Sequence, residues 1–265
     1  MKIEHDFHIH TNLSLCAKPT ATPEYYLKTA QRLGLKKIGF SDHFWDSAFE
    51  APNEFYRKQD YAHVSMLKTE LERVQKDGVR VFWGCEAEYD PVHHGVGITE
   101  ETAEKFDFIL VPNSHTHMMM PKECYEPYQK HVDFMIQAYE EIINSNVSRY
   151  ITAIAHPFDA VCCPHDKSVL YEMISDDCFK RLFDRTAEKE IAVEINLACV
   201  SKNTKEQIES WKALRMFRLA KECGCKFIFG SDAHSDQDHA SFANAELIAG
   251  ILELKENDIA RIACT

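Results

Sequence analysis

The chain has 265 residues, 45% of them hydrophobic, a formal net charge of −12 and ten cysteines. That length suits one α/β barrel or two smaller domains. No apolar run is long enough to span a bilayer, the charged opening Met1-Lys2-Ile3-Glu4-His5-Asp6 does not read as a targeting peptide, and cysteines without any CxxC pair read as reduced thiols of the cytoplasm.

The acidic balance argues against nucleic acid as a partner, because that affinity rests on Lys and Arg neutralising phosphates. It leaves room for a small anionic substrate, since a bound cation reverses the local sign.

A strand-then-helix rhythm runs the length of the chain. The first strand is predicted over Lys2–His8. Thr22-Pro23-Glu24 then supplies a helix N-cap, a proline at the first helical position and an acid in the first turn, and Gly34 supplies the stop. The second strand, Lys37–Ser41, is followed by a polar, aromatic loop from Phe44 to Asp60, a helix over Tyr61–Lys76 and a third strand over Val79–Cys85. A short helix at Thr99–Lys105 precedes the fourth strand, Phe106–Val111. A helix over Tyr128–Asn144 precedes the fifth, Tyr150–Ala155. A helix over Asp176–Lys189 leads to the sixth strand, Ile191–Ile195, and one over Glu206–Cys223 to the seventh, Lys226–Phe229. Helical stretches at Ala243–Leu252 and Glu256–Ile262 close the chain.

No linker, repeat or composition break interrupts this order, so a single domain over residues 1–265 is expected. Seven alternations imply a parallel sheet, either closed into a barrel or open and doubly wound. Long loops after the first, second and fourth strands favour a barrel with an elaborated C-terminal face.

The strand ends carry the chemistry. Alternation places Asp6, His8 and His10 on one face of the first strand. The second strand ends at His43 and the third at Glu86. The fourth leads to His115, the fifth to His156, and the seventh to Asp232 and His234. In a parallel barrel these ends meet on one rim, so six of the seven strands deliver a metal-capable side chain to the same place. Imidazole and carboxylate suit Zn, Mn or Fe, and eight such ligands are too many for one ion. Two or three divalent ions are therefore expected, with the two oxygens of Glu86 able to bridge a pair. Paired ions hold a hydroxide at neutral pH and brace both oxygens of a phosphoryl displacement.

Around this set, Lys18, Lys202 and His117 fall in loops on the proposed face and are candidates for contacting a phosphorylated substrate, with solvated loop residues as the equal alternative. Asp6 reads as a partner that orients a ligand, with a strand-end acid as the alternative, and Glu88 reads as a structural partner rather than a base. His93-His94 reads as loop, because neighbours on an extended chain diverge. His63, His131, His165 and His239 have no strand-end logic. Cys162-Cys163 reads as buried thiols.

His8-Ile-His10, Ser41-Asp42-His43, Gly84-Cys-Glu86, Ser114-His115, Ala155-His156-Pro157 and Gly230-Ser-Asp232-Ala-His234 resemble, in order, the motifs of the PHP (polymerase and histidinol phosphatase) superfamily. Thr22-Pro23-Glu24, Gly39-Phe40-Ser41-Asp42-His43 and Glu194-Ile195-Asn196 are similar to its histidinol-phosphatase-like branch. The resemblance implies a distorted (β/α)7 TIM-like barrel with a trinuclear metal site. His8, His10, Glu86 and Asp232 would hold one ion; Glu86, His115 and His156 a second; His43 and His234 a third. It also implies a hydrolase of a small phosphomonoester, like the histidinol-phosphate phosphatase of histidine biosynthesis. A metal-bridging hydroxide would be the nucleophile, and Asp232 and His234 would be catalytic.

Two positions depart from that pattern. Cys16 stands where the family often has a further histidine, and Ser201 precedes Lys202 where the compared phosphatases carry an arginine. The alternatives are a phosphodiesterase or nuclease-like enzyme, and a non-catalytic metal-holding protein that binds phosphorylated ligands. Nothing in the sequence sets the oligomeric state.

Overall fold

The seven expected strands all form, and each is buried along most of its length, as a parallel sheet covered by helices requires. They are β1 (His5–Ile9), β2 (Lys37–Phe40), β3 (Arg80–Ala87), β4 (Phe108–Pro112), β5 (Ala153–Ala155), β6 (Ala192–Asn196) and β7 (Phe227–Gly230). They pair in parallel in chain order. The ring closes where the backbone of His10 donates to Ala233 O at 2.9 Å and that of Asp232 to His8 O at 2.8 Å. The result is a distorted (β/α)7 TIM-like barrel in one domain. The structure, a computed structural model, describes every residue except 162, 164, 165, 201, 202, 237, 239–241, 243 and 265. Among the described residues no helix is long and apolar enough to cross a membrane.

The local signals act as their chemistry dictates in the first helix, Pro23–Leu33. The Thr22 side chain accepts from Tyr25 N, and Gly34 ends the helix in the left-handed conformation at φ 73°. The helix over Tyr128–Asn144 has the expected bounds.

Other stretches differ. The expected helix over Tyr61–Lys76 forms as Tyr61–Val64 and Met66–Arg73, with Val74 already extended. The one expected over Glu206–Cys223 is split into Lys205–Glu209 and Ala213–Glu222, because Ser210 closes the first piece and Trp211 turns to pack on Phe217 at 5.5 Å. Glu256–Ile262 yields only a 3-10 turn, Glu256–Asp258. Several additions were not anticipated: a short strand His43–Phe44 beside the end of β3, a hairpin of Tyr89–Asp90 with Gly95–Val96, and short helices at Glu54–Arg57, Thr116–Met119 and Lys167–Met173.

The barrel has an aromatic floor. Phe7 meets Phe108 edge-on at 5.2 Å and Phe82 at the same separation. Gly39 and Gly84 leave room for the Phe108 ring, which a Cβ at either position would overlap. Phe82, Gly84 and Glu86 share one face of β3, so this floor lies directly beneath Glu86.

At the N-terminal end of β1, His5 is buried and accepts from Phe229 N at 3.1 Å through Nε2. Burial pushes its pKa down to about 4, with nearby Lys37 adding to the fall and Asp6 opposing it. The folded chain thus refuses a proton that the unfolded chain takes up below its ordinary value of about 6.5. The stability held by neutral His5 is complete above that value and is lost as pH falls from about 6.5 to 4, on the order of 3 kcal/mol in all. In chelated protein, the urea midpoint of His5→Gln should fall less steeply than that of wild type across this window. Parallel curves would contradict the assignment.

Candidate metal centre

The strand ends bring eight side chains into one buried group at the C-terminal rim. His8 and His10 come from β1, His43 from the short strand after β2, Glu86 from β3, and His115 from the loop after β4. His156 follows β5, and Asp232 and His234 follow β7. Their ligand-capable atoms fall into four overlapping sets, each within 4.8 Å: His8, His10 and Asp232; His8, Glu86 and His156; His43, Glu86 and His115; and His10, His43 and His234. Glu86 and His8 each join two sets, as do His10 and His43.

Outward hydrogen bonds fix which ring nitrogen faces inward. His8 Nδ1 lies 2.7 Å from Glu194 Oε1, and His115 Nδ1 lies 2.7 Å from Glu88 Oε2. Ser14 Oγ donates to Asp42 Oδ1 at 2.6 Å, leaving its oxygen to accept from His10 Nδ1 at 3.1 Å. His234 Nδ1 donates to Asp232 O at 2.9 Å. A neutral ring that donates through Nδ1 has its lone pair at Nε2. Four Nε2 atoms therefore point into the group, each able to bind a cation once it is free of a proton. His156 is placed by Ser114 Oγ at 2.6 Å, and its Nε2 lies 3.0 Å from Glu86 Oε1.

This arrangement fits cations. His8 Nε2 and His10 Nε2 stand 3.1 Å apart, close enough to share a proton or a cation. Glu86 Oε2 and His43 Nδ1 are 2.9 Å apart, yet both are buried without a hydrogen bond. Imidazole nitrogens and carboxylate oxygens grouped this closely are what Zn, Mn or Fe take.

The electrostatics agree. Burial alone would discharge His8, but Glu194, Asp232 and Glu86 hold its pKa well above the ordinary value. Burial, then His234 and His43, push His10 well below it. His115 is raised to about 9, because Glu88 and Glu86 outweigh its burial. Despite burial, the histidines hold the Glu86 and Asp232 carboxyls well below the usual range. Cations entering this group would displace protons.

The backbone is strained at two of these positions. His156 has φ 25° and Asp232 φ 53°, a region costly for residues other than glycine. Each is held in place by a bond across the barrel: His156 N to Glu194 Oε2 at 2.6 Å, and Asp232 N to His8 O at 2.8 Å.

A cavity of about 240 Å3 opens onto the group. Cys16 and His117 stand at its wall with His43, His115, Asp232 and His234. Cys16 belongs to none of the four sets. Lys18 is exposed, and its backbone N–H donates to His234 O at 2.8 Å, so its chain position is beside the rim. Lys202 lies outside the described residues, as do Cys162, His165 and His239. A larger hollow, about 540 Å3, lies at the other end of the barrel between Lys2–His5 and Leu254–Cys264, away from all four sets.

Sequence reasoning missed the anchors Glu194, Ser14 and Ser114. An acid inside the apolar run Ala192–Asn196 was the available signal for Glu194, since a buried carboxylate must be paired. Asp6 proves to be a staple: its Oδ1 accepts from His8 N at 3.2 Å and Ser231 N at 2.9 Å, tying β1 to β7.

Known proteins with this architecture include histidinol phosphate phosphatase from Lactococcus lactis, solved with Zn, L-histidinol and phosphate. It superposes at a TM-score of 0.62 with 15% identity, over 96% of this chain and 95% of that one. A chain from Listeria monocytogenes assigned as a histidinol phosphatase gives a TM-score of 0.65 with 13% identity, over 88% and 96% respectively. In sequence, a protein of Caldicellulosiruptor saccharolyticus named "Probable phosphatase" is 26% identical over 240 residues, which is 91% of this chain and 84% of that protein. Residues 6–198 match the family model of the PHP domain; the chain belongs to the PHP domain family.

Proposed function

We propose that this protein is a metal-dependent phosphoesterase that releases phosphate from a small phosphomonoester. In this reading His8, His10, His43, Glu86, His115, His156, Asp232 and His234 hold two or three divalent transition-metal ions. The observation that carries it is the convergence of inward-facing imidazole nitrogens and two carboxylates in four overlapping sets on one rim. Phosphatase relatives in sequence and fold support it. The family match stops at residue 198. We extend the domain to residues 1–265 because Asp232 and His234 complete the group only after β7 closes the barrel.

Bound ions would supply a nucleophilic hydroxide at neutral pH and neutralise charge on the phosphoryl oxygens. The chain does the rest. Glu194, Glu88 and the Asp42–Ser14 pair lock the imidazoles with Nε2 inward. Glu86 offers one oxygen to each of two sets. With only two ions bound, His234, partly exposed at the cavity wall and held through Nδ1 by the backbone oxygen of Asp232, would be free to carry a proton to the leaving oxygen. Lys18, His117 and Lys202 are our candidates for meeting the phosphate. Histidinol phosphate, whose two products the Lactococcus structure holds, is the reference ester against which others are compared.

Chelation followed by dialysis should abolish phosphate release, and Mn or Zn should restore it. Full turnover by stripped protein would sink the reading. Glu88→Gln should weaken metal affinity about 10–100-fold, the usual effect of losing a carboxylate behind a ligating histidine. Glu88 fixes His115 and also accepts from the Tyr56 hydroxyl. Competition with a fluorescent chelator reads the affinity, and an unchanged value would remove Glu88 from this role.

A further inference from the structure

We propose that the organic part of the substrate is an uncharged, apolar ring seated against Phe55, Tyr56, Met118 and Val161, a proposal that rests on the phosphoesterase reading. These four side chains line the same cavity as His43, His115, Asp232 and His234 and supply its apolar wall.

They are more than stray apolar residues. Trp45, Tyr56 and Met119 form a small core of their own, separate from that of the barrel, with Phe55 and Met118 packed on it. Two loops build it: the one after β2, through its short helix Glu54–Arg57, and the one after β4, through Thr116–Met119. Trp45, Tyr56 and Met119 are buried, so the wall has a firm back. Phe55 and Met118 are only partly buried. Phe55 stands edge-on to His43, ring centres 5.4 Å apart, at the boundary between wall and metal group.

A phosphate group needs only cations and hydrogen-bond donors. An apolar wall beside it has no use for the phosphate and stays in unfavourable contact with water unless something apolar covers it. Aromatic rings prefer such edge-to-face neighbours, and methionine adapts to their outline. Among the described residues of the cavity the one carboxylate is Asp232, which faces His8 and His10 at 3.5 and 3.4 Å. An ammonium on the leaving group would find no free acid there. At about 240 Å3 the cavity is below the usual range of about 300–1,000 Å3 for drug-sized ligands. It suits a phosphate with one ring.

The test compares benzyl phosphate with glycerol 1-phosphate on the Mn- or Zn-loaded protein, since both release an alcohol. In parallel, the affinities of benzylphosphonate and methylphosphonate are measured by calorimetry, which needs no turnover. The ring should gain about tenfold in kcat/KM, mainly through KM, and about tenfold in affinity, the usual worth of one well-filled apolar subsite. Phe55→Ala should bring both ratios to within about twofold of unity, and Met118→Ala serves where that variant does not fold. Ratios near one in wild type, or ratios untouched in both variants, overturn the proposal. Ring preference in binding without hydrolysis of any ester would keep this inference and defeat the phosphoesterase reading. Hydrolysis without ring preference would do the reverse.

Discussion

Glu86→Gln should lower phosphate release by at least about 10³-fold, the scale on which a charge-stabilising group at a reacting centre acts. Glu86 is the hub of the metal-capable group. Its Oε1 lies 3.0 Å from His156 Nε2, 3.5 Å from His8 Nε2 and 3.8 Å from His115 Nε2. Its Oε2 lies 2.9 Å from His43 Nδ1 and 3.5 Å from His10 Nε2. Glutamine keeps the shape but turns one of these oxygens into an NH2 group, whose hydrogens repel any cation on that side. The surviving oxygen can serve one set but not both. The variant should therefore carry fewer ions per chain, as well as turn over more slowly. Metal analysis by mass spectrometry reads the first effect and initial rates the second. A variant that kept a full metal complement and more than a tenth of the rate would show that Glu86 is not shared between ions.

The barrel and the gathering of the strand ends were legible because two simple periods coincide with rare chemistry. Parallel strands that follow one another around a barrel must end on one rim. Imidazoles and carboxylates at the ends of apolar runs have no packing reason to be there. Thr22, Pro23 and Gly34 were legible because each does a job that few other residues can do.

The unreadable parts are those where distant segments decide. Nothing local says that Glu194 will lie between His8 Nδ1 and His156 N. That depends on β6 arriving next to β5 and near β1. The break at Ser210 is hidden for a different reason: no Gly or Pro marks it, and Trp211 packs on Phe217 within the same stretch. The overlap of the sets was equally hidden: His10 falls with His43 and His234 as well as with His8 and Asp232, because its ring centre lies 4.4 Å from that of His43 and 4.1 Å from that of His234. The wall of Phe55 and Met118 was out of reach altogether, since it needs two loops to fold on each other.

Gly230→Ala should disable the centre without altering a single metal-capable residue. Gly230 ends β7, one residue before Ser231 and two before Asp232. A Cβ there would overlap Glu194 Oε1 and the Cβ of His8. Neither can step aside freely. Glu194 is pinned by His8 Nδ1 at 2.7 Å and by His156 N at 2.6 Å, and β1 is held to the β7 end by the bonds that close the barrel. The clash must shift His8, rotate Glu194, or spread β1 from β7. Each route unlocks the His8 ring and moves its Nε2 off the point it shares with His10. Misplacement of about 1 Å at a reacting centre costs about 10²-fold in rate, and overpacking a tight site costs about 1–3 kcal/mol of stability. Gly250→Ala is the matched control. It lies in the helix Ala245–Ile251 with nothing within 4 Å of its added Cβ, so it should leave activity alone and stabilise by up to about 1 kcal/mol. If Gly230→Ala matched that control in rate, metal content and melting temperature, the close approach of β7 to His8 and Glu194 would not be holding the imidazole in place.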